Sequence, residues 1–322
     1  MTTTTAITRS NPAALPAVPA ADLDAAKAYA RADKSKATRR AYAGDYAAFC
    51  AWCADRGVAS LPATAETVAA FLAAEAGRGV KPSTIGRRVA AILYAHKLAG
   101  HESPTNAEPV KATMRGIRRS VGTAPKRKAP ATADKVCAMA ANMPDGLIGL
   151  RDRALLLLGF AGAFRRSELV ALNVADIQEC EAGLRVYIGK SKTDQEAHGV
   201  TIAIVPGAVA CPVQAVKAWI EAAALTDGPV FRSIAKGERV STARLSDKSV
   251  ADIVKRHVSR LGLDPAAFGG HSLRAGFLTS AAAKGASIFK MMDTSRHKSV
   301  DTLRGYVRDA ELFRDHAGAG LL

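Results

Sequence analysis

The chain has no apolar run long enough to cross a bilayer. Its longest, Ala154 to Phe164, is bracketed by Arg153 and Arg165 and falls well short of the roughly 20 residues a spanning helix needs. Nor does it open with a basic segment followed by an apolar core, as a signal peptide would. Residues 1–22 are rich in Thr, Ala and Pro and read as a disordered leader. Cysteine is sparse: Cys50, Cys53, Cys137, Cys180 and Cys211 form an odd, scattered set, which argues against a disulfide framework and for a reducing compartment. Cys50-x-x-Cys53 invites a zinc or redox reading, but no second Cys pair or His pair follows at metal-site spacing. Both residues sit in an apolar helical pattern, so core packing is the expectation and no metal is. No internal repeat is visible.

Acidic residues are also in short supply, 29 against 45 Lys and Arg, giving a formal net charge of +16. Such a balance implies a polyanionic partner and says little about fold. Nucleic acid comes first. An anionic membrane surface comes second and lacks the apolar span that would support it.

The 322 residues suit two domains better than one. Four amphipathic helices are expected in the first, residues 23–120. Ser35 to Asp55 carries Tyr42, Tyr46, Phe49 and Cys53 on one face, with Arg39 and Arg40 near its start. Thr64 caps a second helix with Val68, Phe71 and Leu72 inward, and Ser83 caps a third with Ile85, Val89 and Ile92 inward. Glu108 to Arg119 sets Val110, Met114 and Ile117 against Lys111, Arg115 and Arg118. The polar faces of the last two helices are short of acid. Lys81, Arg87, Arg88, Lys111, Arg115 and Arg118 are therefore read, with Arg39 and Arg40, as a phosphate-facing surface rather than solvated charge. Residues 121–131, with their prolines and Lys126-Arg127-Lys128, read as a basic linker lying along a phosphate backbone.

The second domain, 132–322, opens with Thr132 as a cap. Leu184–Ile188 and Val200–Val205 alternate like paired strands, and Pro212 suits the first position of a helix. Further helices are expected around Val250 to Leu261, His271 to Lys284 and Ser299 to Tyr306. The fold class is multidomain and mainly α: a helical bundle followed by a mixed α+β domain with a small β-hairpin sheet.

Four motifs then fall in order: Gly-Ala-Phe-Arg165-Arg-Ser-Glu168-Leu, Ser-Lys192-Thr between the two strands, His271-Ser-Leu-Arg274, and Ser-Arg-His297 with Tyr306 nine residues on. Each alone is weak. Together the ordered set resembles the catalytic residues of the tyrosine recombinases, the phage-integrase family, and the resemblance runs from about Ser35 to the C-terminus.

That resemblance implies a SAM-like core-binding N-terminal domain that clamps DNA and a catalytic domain that cleaves and rejoins it through a covalent 3′-phosphotyrosine, without metal, ATP or other cofactor. It implies that Arg165 and Arg274 clasp the scissile phosphate, whose oxygens suit the planar arginine fork. His271 would accept the proton of Tyr306, His297 would hydrogen-bond the phosphate, and Lys192 would be the general acid. Lys190, two residues away, is the rival for that last role. Glu168, three residues from Arg165 on the same face, is the supporting carboxylate. The family carries glycine where this chain has Arg296, so a local backbone difference is expected there, with the extra cation a candidate phosphate contact. The expected partner is duplex DNA with short inverted repeats, bound by a monomer that assembles as a homotetramer in the synapse, in the cytoplasm, with the tail after Tyr306 docking on a neighbour. The alternatives are a type IB-like topoisomerase and a non-catalytic DNA-binding regulator.

Overall fold

The computed structural model describes residues 19–124, 127–189 and 199–311. They form two compact units, split between Pro125 and Lys126. Among the described residues no helix is long and apolar enough to cross a membrane.

The first unit comprises α1 (Ala20–Ala32), α2 (Lys36–Ala54), α3 (Ala65–Gly77), α4 (Pro82–Leu98) and α5 (Glu108–Val121). Most of the expected leader lies outside the described residues, but its last three residues, Ala20 to Asp22, already belong to the first turn of α1. The Asp22 carboxylate there complements the helix dipole. Ser35 Oγ accepts from Thr38 N at 3.1 Å and Thr64 Oγ1 from Thr67 N at 3.2 Å, so α2 and α3 start where their caps predict. The third expected cap fails. Helix α4 begins at Pro82 with Lys81 at the N-cap position, because proline is pre-set for the first turn.

Phe49, Phe71, Leu72, Ile85, Ile92, Val110, Met114 and Ile117 fill the core, with the Phe49 and Phe71 rings edge-on at 5.1 Å. Cys53 is buried among them. Inside the same unit Ala63 N–H donates to His96 Nε2 at 3.0 Å. That nitrogen must carry the lone pair, so the ring proton is on Nδ1 and is donated to Ile92 O at 2.9 Å.

The basic faces are not all outward. Arg88 is turned in, its side chain 17% exposed, paired with the buried Glu75 and lying 3.7 Å from Asp45. Arg87 grips Asp45 through Nε at 2.5 Å and Nη2 at 3.1 Å. Arg40, Lys81, Lys111, Arg115 and Arg118 are exposed and Arg39 is half-buried. The inward turn of Arg88 has a simple cause: a buried carboxylate needs a counterion, and Glu75 is 1% exposed.

The second unit begins with the end of the expected linker. Val121 is still helical, Pro125 and Lys126 lie outside the described residues, and residues 127–131 are docked. Ala129 N–H donates to Ala267 O at 2.8 Å, Ala131 N–H to Ser272 O at 2.9 Å, and Lys128 Nζ to Ala266 O at 2.5 Å. Ala131 is fully buried, and a Cβ at Gly276 would collide with its carbonyl.

There follow α6 (Ala133–Ala141), α7 (Leu147–Ala161), α8 (Arg166–Ala171), β1 (Ile177–Cys180), β2 (Gly183–Ile188), β3 (Val200–Ile204), α9 (Pro212–Ala222), β4 (Arg232–Ala235), β5 (Arg239–Arg244), α10 (Asp247–Arg260), α11 (Ser272–Ala283), α12 (Ile288–Ser295) and α13 (Val300–Glu311). Helix α7 is the apolar run of the sequence, buried nearly all round. It packs with Phe164, Trp219, Phe231, Val250 and Val254 in the main core.

Strands β1, β2 and β3 form an antiparallel sheet in that order. Leu184 pairs with Ile204 and Ile188 with Val200. Leu184, Val186 and Ile188 face the core while Arg185 and Tyr187 face out. A second hairpin, β4–β5, stands apart. Leu278, Ala282, Met291 and Leu303 form a small separate core under α11, α12 and α13, with Tyr306 packed against it.

Candidate active site

Helix α7 stops at Gly162, and the chain turns sharply before α8. Ala163 takes φ 44° in that turn, and Phe164 is buried beyond it. Arg165 is thereby set at the N-cap of α8. Three residues on, Glu168 folds back: its Oε2 accepts the Arg165 backbone N–H at 3.0 Å and its Oε1 accepts Arg165 Nη1 at 2.5 Å. The first of these bonds is the carboxylate half of a capping box. Arg166 points elsewhere and pairs with Asp247 at 3.0 Å.

Arg274 enters from the first turn of α11. Its Nη1 donates to Ala163 O at 2.7 Å, and its Nη2 lies 3.2 Å from both ring nitrogens of His297. Helix α12 ends at Arg296 in the left-handed region, φ 57° and ψ 40°, and the next residue is His297. Ser295, fully buried, donates its one hydroxyl proton to Met291 O at 2.6 Å. Its Oγ therefore accepts from His297 Nδ1–H at 2.7 Å, which leaves Nε2 as the acceptor of the Arg274 proton.

Electrostatics follow from burial and crowding. Burial, then the Arg165 and Arg296 cations, push the Arg274 guanidinium down to about 9, against the pull of Glu168 and the Tyr306 hydroxyl. Burial and the guanidiniums of Arg274, Arg165 and Arg296 press His297 down to about 4, so the ring is neutral at pH 7. Burial alone would raise Glu168, but Arg296 and the Arg165 bonds outweigh it and hold the carboxyl below its ordinary value.

Tyr306 sits on α13, half-buried. Its ring centroid is 5.9 Å from the Arg127 guanidinium carbon, and its hydroxyl is within electrostatic reach of Arg274. His271, exposed, is the N-cap residue of α11, three positions before Arg274. Lys192 and its rival Lys190 lie outside the described residues, as does Lys126. The strands that bracket the two hairpin lysines are β2 and β3.

The structure thus gathers Arg165, Glu168, Arg274 and His297, with Tyr306 near Arg274. Three features escaped the sequence reading. Ser295 sets the His297 tautomer, and Arg127 of the expected linker lies over the Tyr306 ring. Arg296, expected as an added phosphate contact, turns inward with its side chain 7% exposed. Only Arg296 left a trace in the sequence, as the missing glycine.

The phage integrase family matches residues 131–312, and the family's N-terminal SAM-like domain matches residues 27–103. The integrase/recombinase xerD homolog of Selenomonas ruminantium is 41% identical over 299 residues, 90% of this chain and 87% of that protein. Recombinase cre of Escherichia phage P1 is 26% identical over 282 residues, 81% of this chain and 80% of that one. Among solved structures, a lambda integrase dimer bound to a COC′ core site superposes with a TM-score of 0.60 at 18% identity, covering 92% of this chain and 78% of that chain; this likeness speaks for the fold alone. Fold, site and relatives together define a tyrosine recombinase, an enzyme class that cleaves and rejoins DNA. The chain belongs to the phage integrase family.

Proposed function

We propose that this recombinase acts site-specifically, with Tyr306 attacking the scissile phosphorus and holding the strand as a 3′-phosphotyrosine. The observation that carries the reading is the charge balance at the site. Arg165 and Arg296 pair with one carboxylate, Glu168, and Arg274 lies within its electrostatic reach. Two positive charges are left over, a standing cradle for an anion that gains charge in its transition state.

Arg165 and Arg274 supply hydrogen bonds to the nonbridging oxygens, and Glu168 orients Arg165. His271 accepts the tyrosine proton, and Lys192 returns one to the departing 5′-oxygen. His297 offers a neutral N–H to the phosphate. That donation uses the other tautomer: Nδ1 gives up its proton to solvent, Nε2 takes one up, and the Ser295 hydroxyl turns from Met291 O to donate to Nδ1. One phosphodiester is exchanged for another, so rejoining is the same step run backward by the freed 5′-hydroxyl.

The DNA is held on one side by the first unit, whose exposed Arg40, Lys81, Lys111, Arg115 and Arg118 suit phosphates, together with Arg39 and the outer part of Arg87. Exchange between two duplexes requires four cleavages and therefore four tyrosines. This supports a homotetrameric synapse on short inverted repeats, assembled from free monomers. The domain reading of 23–120 and 132–322 and a cytoplasmic location belong to the same proposal.

Incubation with a duplex nicked so that the short fragment bearing the freed 5′-hydroxyl dissociates after cleavage tests it. A denaturation-resistant protein–DNA species is expected, with the DNA mapped to the Tyr306 peptide through its 3′ end. Sequencing that DNA gives the target. Relaxation of supercoiled plasmid without a preferred site would favour a topoisomerase instead.

A further inference from the structure

Ala163 at φ 44° and Arg296 at φ 57° hold left-handed backbones without being glycine. Such a conformation is strained for an ordinary residue and persists only where its surroundings enforce it. The two residues enforce each other. Arg296 Nη1 donates to Gly162 O at 3.0 Å, and Nη2 donates to Ala163 O at 3.2 Å and to Glu168 Oε2 at 2.8 Å. Arg274 holds the same Ala163 carbonyl from the other side. The Arg296 guanidinium carbon also lies 5.2 Å from the centroid of Phe164, so this one side chain touches the turn at each residue from Gly162 to Phe164. That turn is what delivers Arg165.

We infer that Arg296 is a positioning residue: it clamps the Gly162–Ala163 turn and shares the charge of Glu168, and thereby keeps Arg165 aimed at the phosphate without touching the phosphate itself. The inference rests on the proposed role of Arg165. Its physical content is a competition. Glu168 is 3% exposed and needs counterions. With Arg296 present, Arg165 is one of two and keeps part of its fork for a ligand. With Arg296 gone, Arg165, already 2.5 Å from one carboxylate oxygen, is left to satisfy the second as well, and its fork turns further onto Glu168 and away from a ligand.

Arg296→Gly separates side chain from backbone, because glycine takes the left-handed conformation freely. Any loss in that variant comes from the missing guanidinium. The titratable and charged groups facing Glu168 are the cations Arg165 on its own helix, Arg296 from the end of α12 and Arg274 from α11, and the neutral His297 ring. A carboxyl held below its ordinary value stabilises the fold above that value and loses the contribution as pH falls through the folded pKa. Removing Arg296 raises the folded pKa of Glu168 toward its unfolded value, so the stability that ionised Glu168 contributes becomes smaller and less of it is left to lose as pH falls.

The test compares wild type, Arg296→Gly and Arg296→Lys in two measurements. The first is the rate of covalent attachment to the nicked duplex between pH 5 and 8; the second is the thermal midpoint between pH 4 and 7 without DNA. Arg296→Gly should bind DNA as wild type does, attach it on the order of 10²-fold more slowly through misaligned Arg165, show an acid limb of the rate moved to higher pH, and have a lower thermal midpoint near pH 7 whose fall on acidification is shallower than that of wild type. Arg296→Lys should restore both pH dependences, since an ammonium can pair with Glu168, but not the full rate, since it cannot hold both carbonyls as a fork does. Wild-type rates in Arg296→Gly would overturn the inference, as would a uniform loss with both pH dependences unchanged. So would weakened DNA binding with the attachment rate of the bound complex intact, which marks a phosphate contact. If wild type itself attaches no DNA, the reading of the site fails, and the DNA-free curves still decide whether Arg296 clamps Glu168.

Discussion

Acidification should leave His297 uncharged long after ordinary histidines have titrated. Burial is the main cause, and the cations of Arg274, Arg165 and Arg296 add to it, so the ring falls from 6.5 to about 4. At 1.36 kcal/mol per pH unit this is worth roughly 3 kcal/mol, reduced to about 2 kcal/mol because the ring is only half-buried and solvent screens it. At pH 7 about one ring in a thousand is charged. The folded state binds fewer protons than the unfolded chain between the two values. The contribution is therefore complete above 6.5 and is lost as pH falls toward 4.

Nitrogen-15 NMR of the histidine rings, with His297→Gln to assign the resonance, measures both the titration and the tautomer. The ring should titrate near 4, with the proton on Nδ1 in the neutral form. Wild type should lose about 2 kcal/mol more stability than His297→Gln between pH 6.5 and 4. Arg274→Ala should bring the titration part of the way back, since burial remains. A ring that titrates at 6.5 or above in the free protein would refute the reasoning, because it would mean the three guanidiniums do not converge on it.

Lys192→Ala should cleave an ordinary phosphodiester ~10²–10⁴-fold more slowly and recover most of its rate on a substrate with bridging 5′ sulfur, whose thiolate needs no proton; rescue of Lys190→Ala instead would transfer the role to Lys190. Neutralising Lys126, Arg127 and Lys128 should make log K less steep against log salt by roughly 0.9 per lost phosphate contact, and an unchanged slope would mean these charges make no phosphate contact. His96→Ala orphans the Ala63 N–H and opens a cavity in the first unit, so a urea titration should show a loss of about 2–4 kcal/mol; a loss under about 0.5 kcal/mol would show that the unit closes without it.

What could be read from the sequence was whatever repeats locally or stands in order along the chain. The alternation Leu184, Val186, Ile188 announced β2, the unbroken run into Phe164 announced a buried helix, and the ordered Arg165, His271, Arg274, His297 and Tyr306 pointed to the candidate site. Strand β1 was too short to declare itself. The β4–β5 hairpin, Arg-Ser-Ile-Ala against Arg-Val-Ser-Thr-Ala-Arg, is mostly exposed and has no apolar alternation to detect. Helix α12, eight residues of which only Met291 and Ser295 are buried, was hidden for the same reason. Charges were hardest to place. Arg87 meets Asp45 across 42 residues and Arg296 meets Glu168 across 128, and no local pattern distinguishes an inward arginine from an outward one. The strained turn at Ala163 is likewise invisible, since nothing about alanine signals a left-handed backbone held by carbonyl contacts from two other helices.

The most direct test of the central claim is Tyr306→Phe, which removes one oxygen from a ring already packed against Leu303 and its neighbours. The variant should fold, bind its DNA site with unchanged affinity and give no covalent protein–DNA species on the nicked duplex. Covalent complex at wild-type yield would contradict the account and place the nucleophile elsewhere.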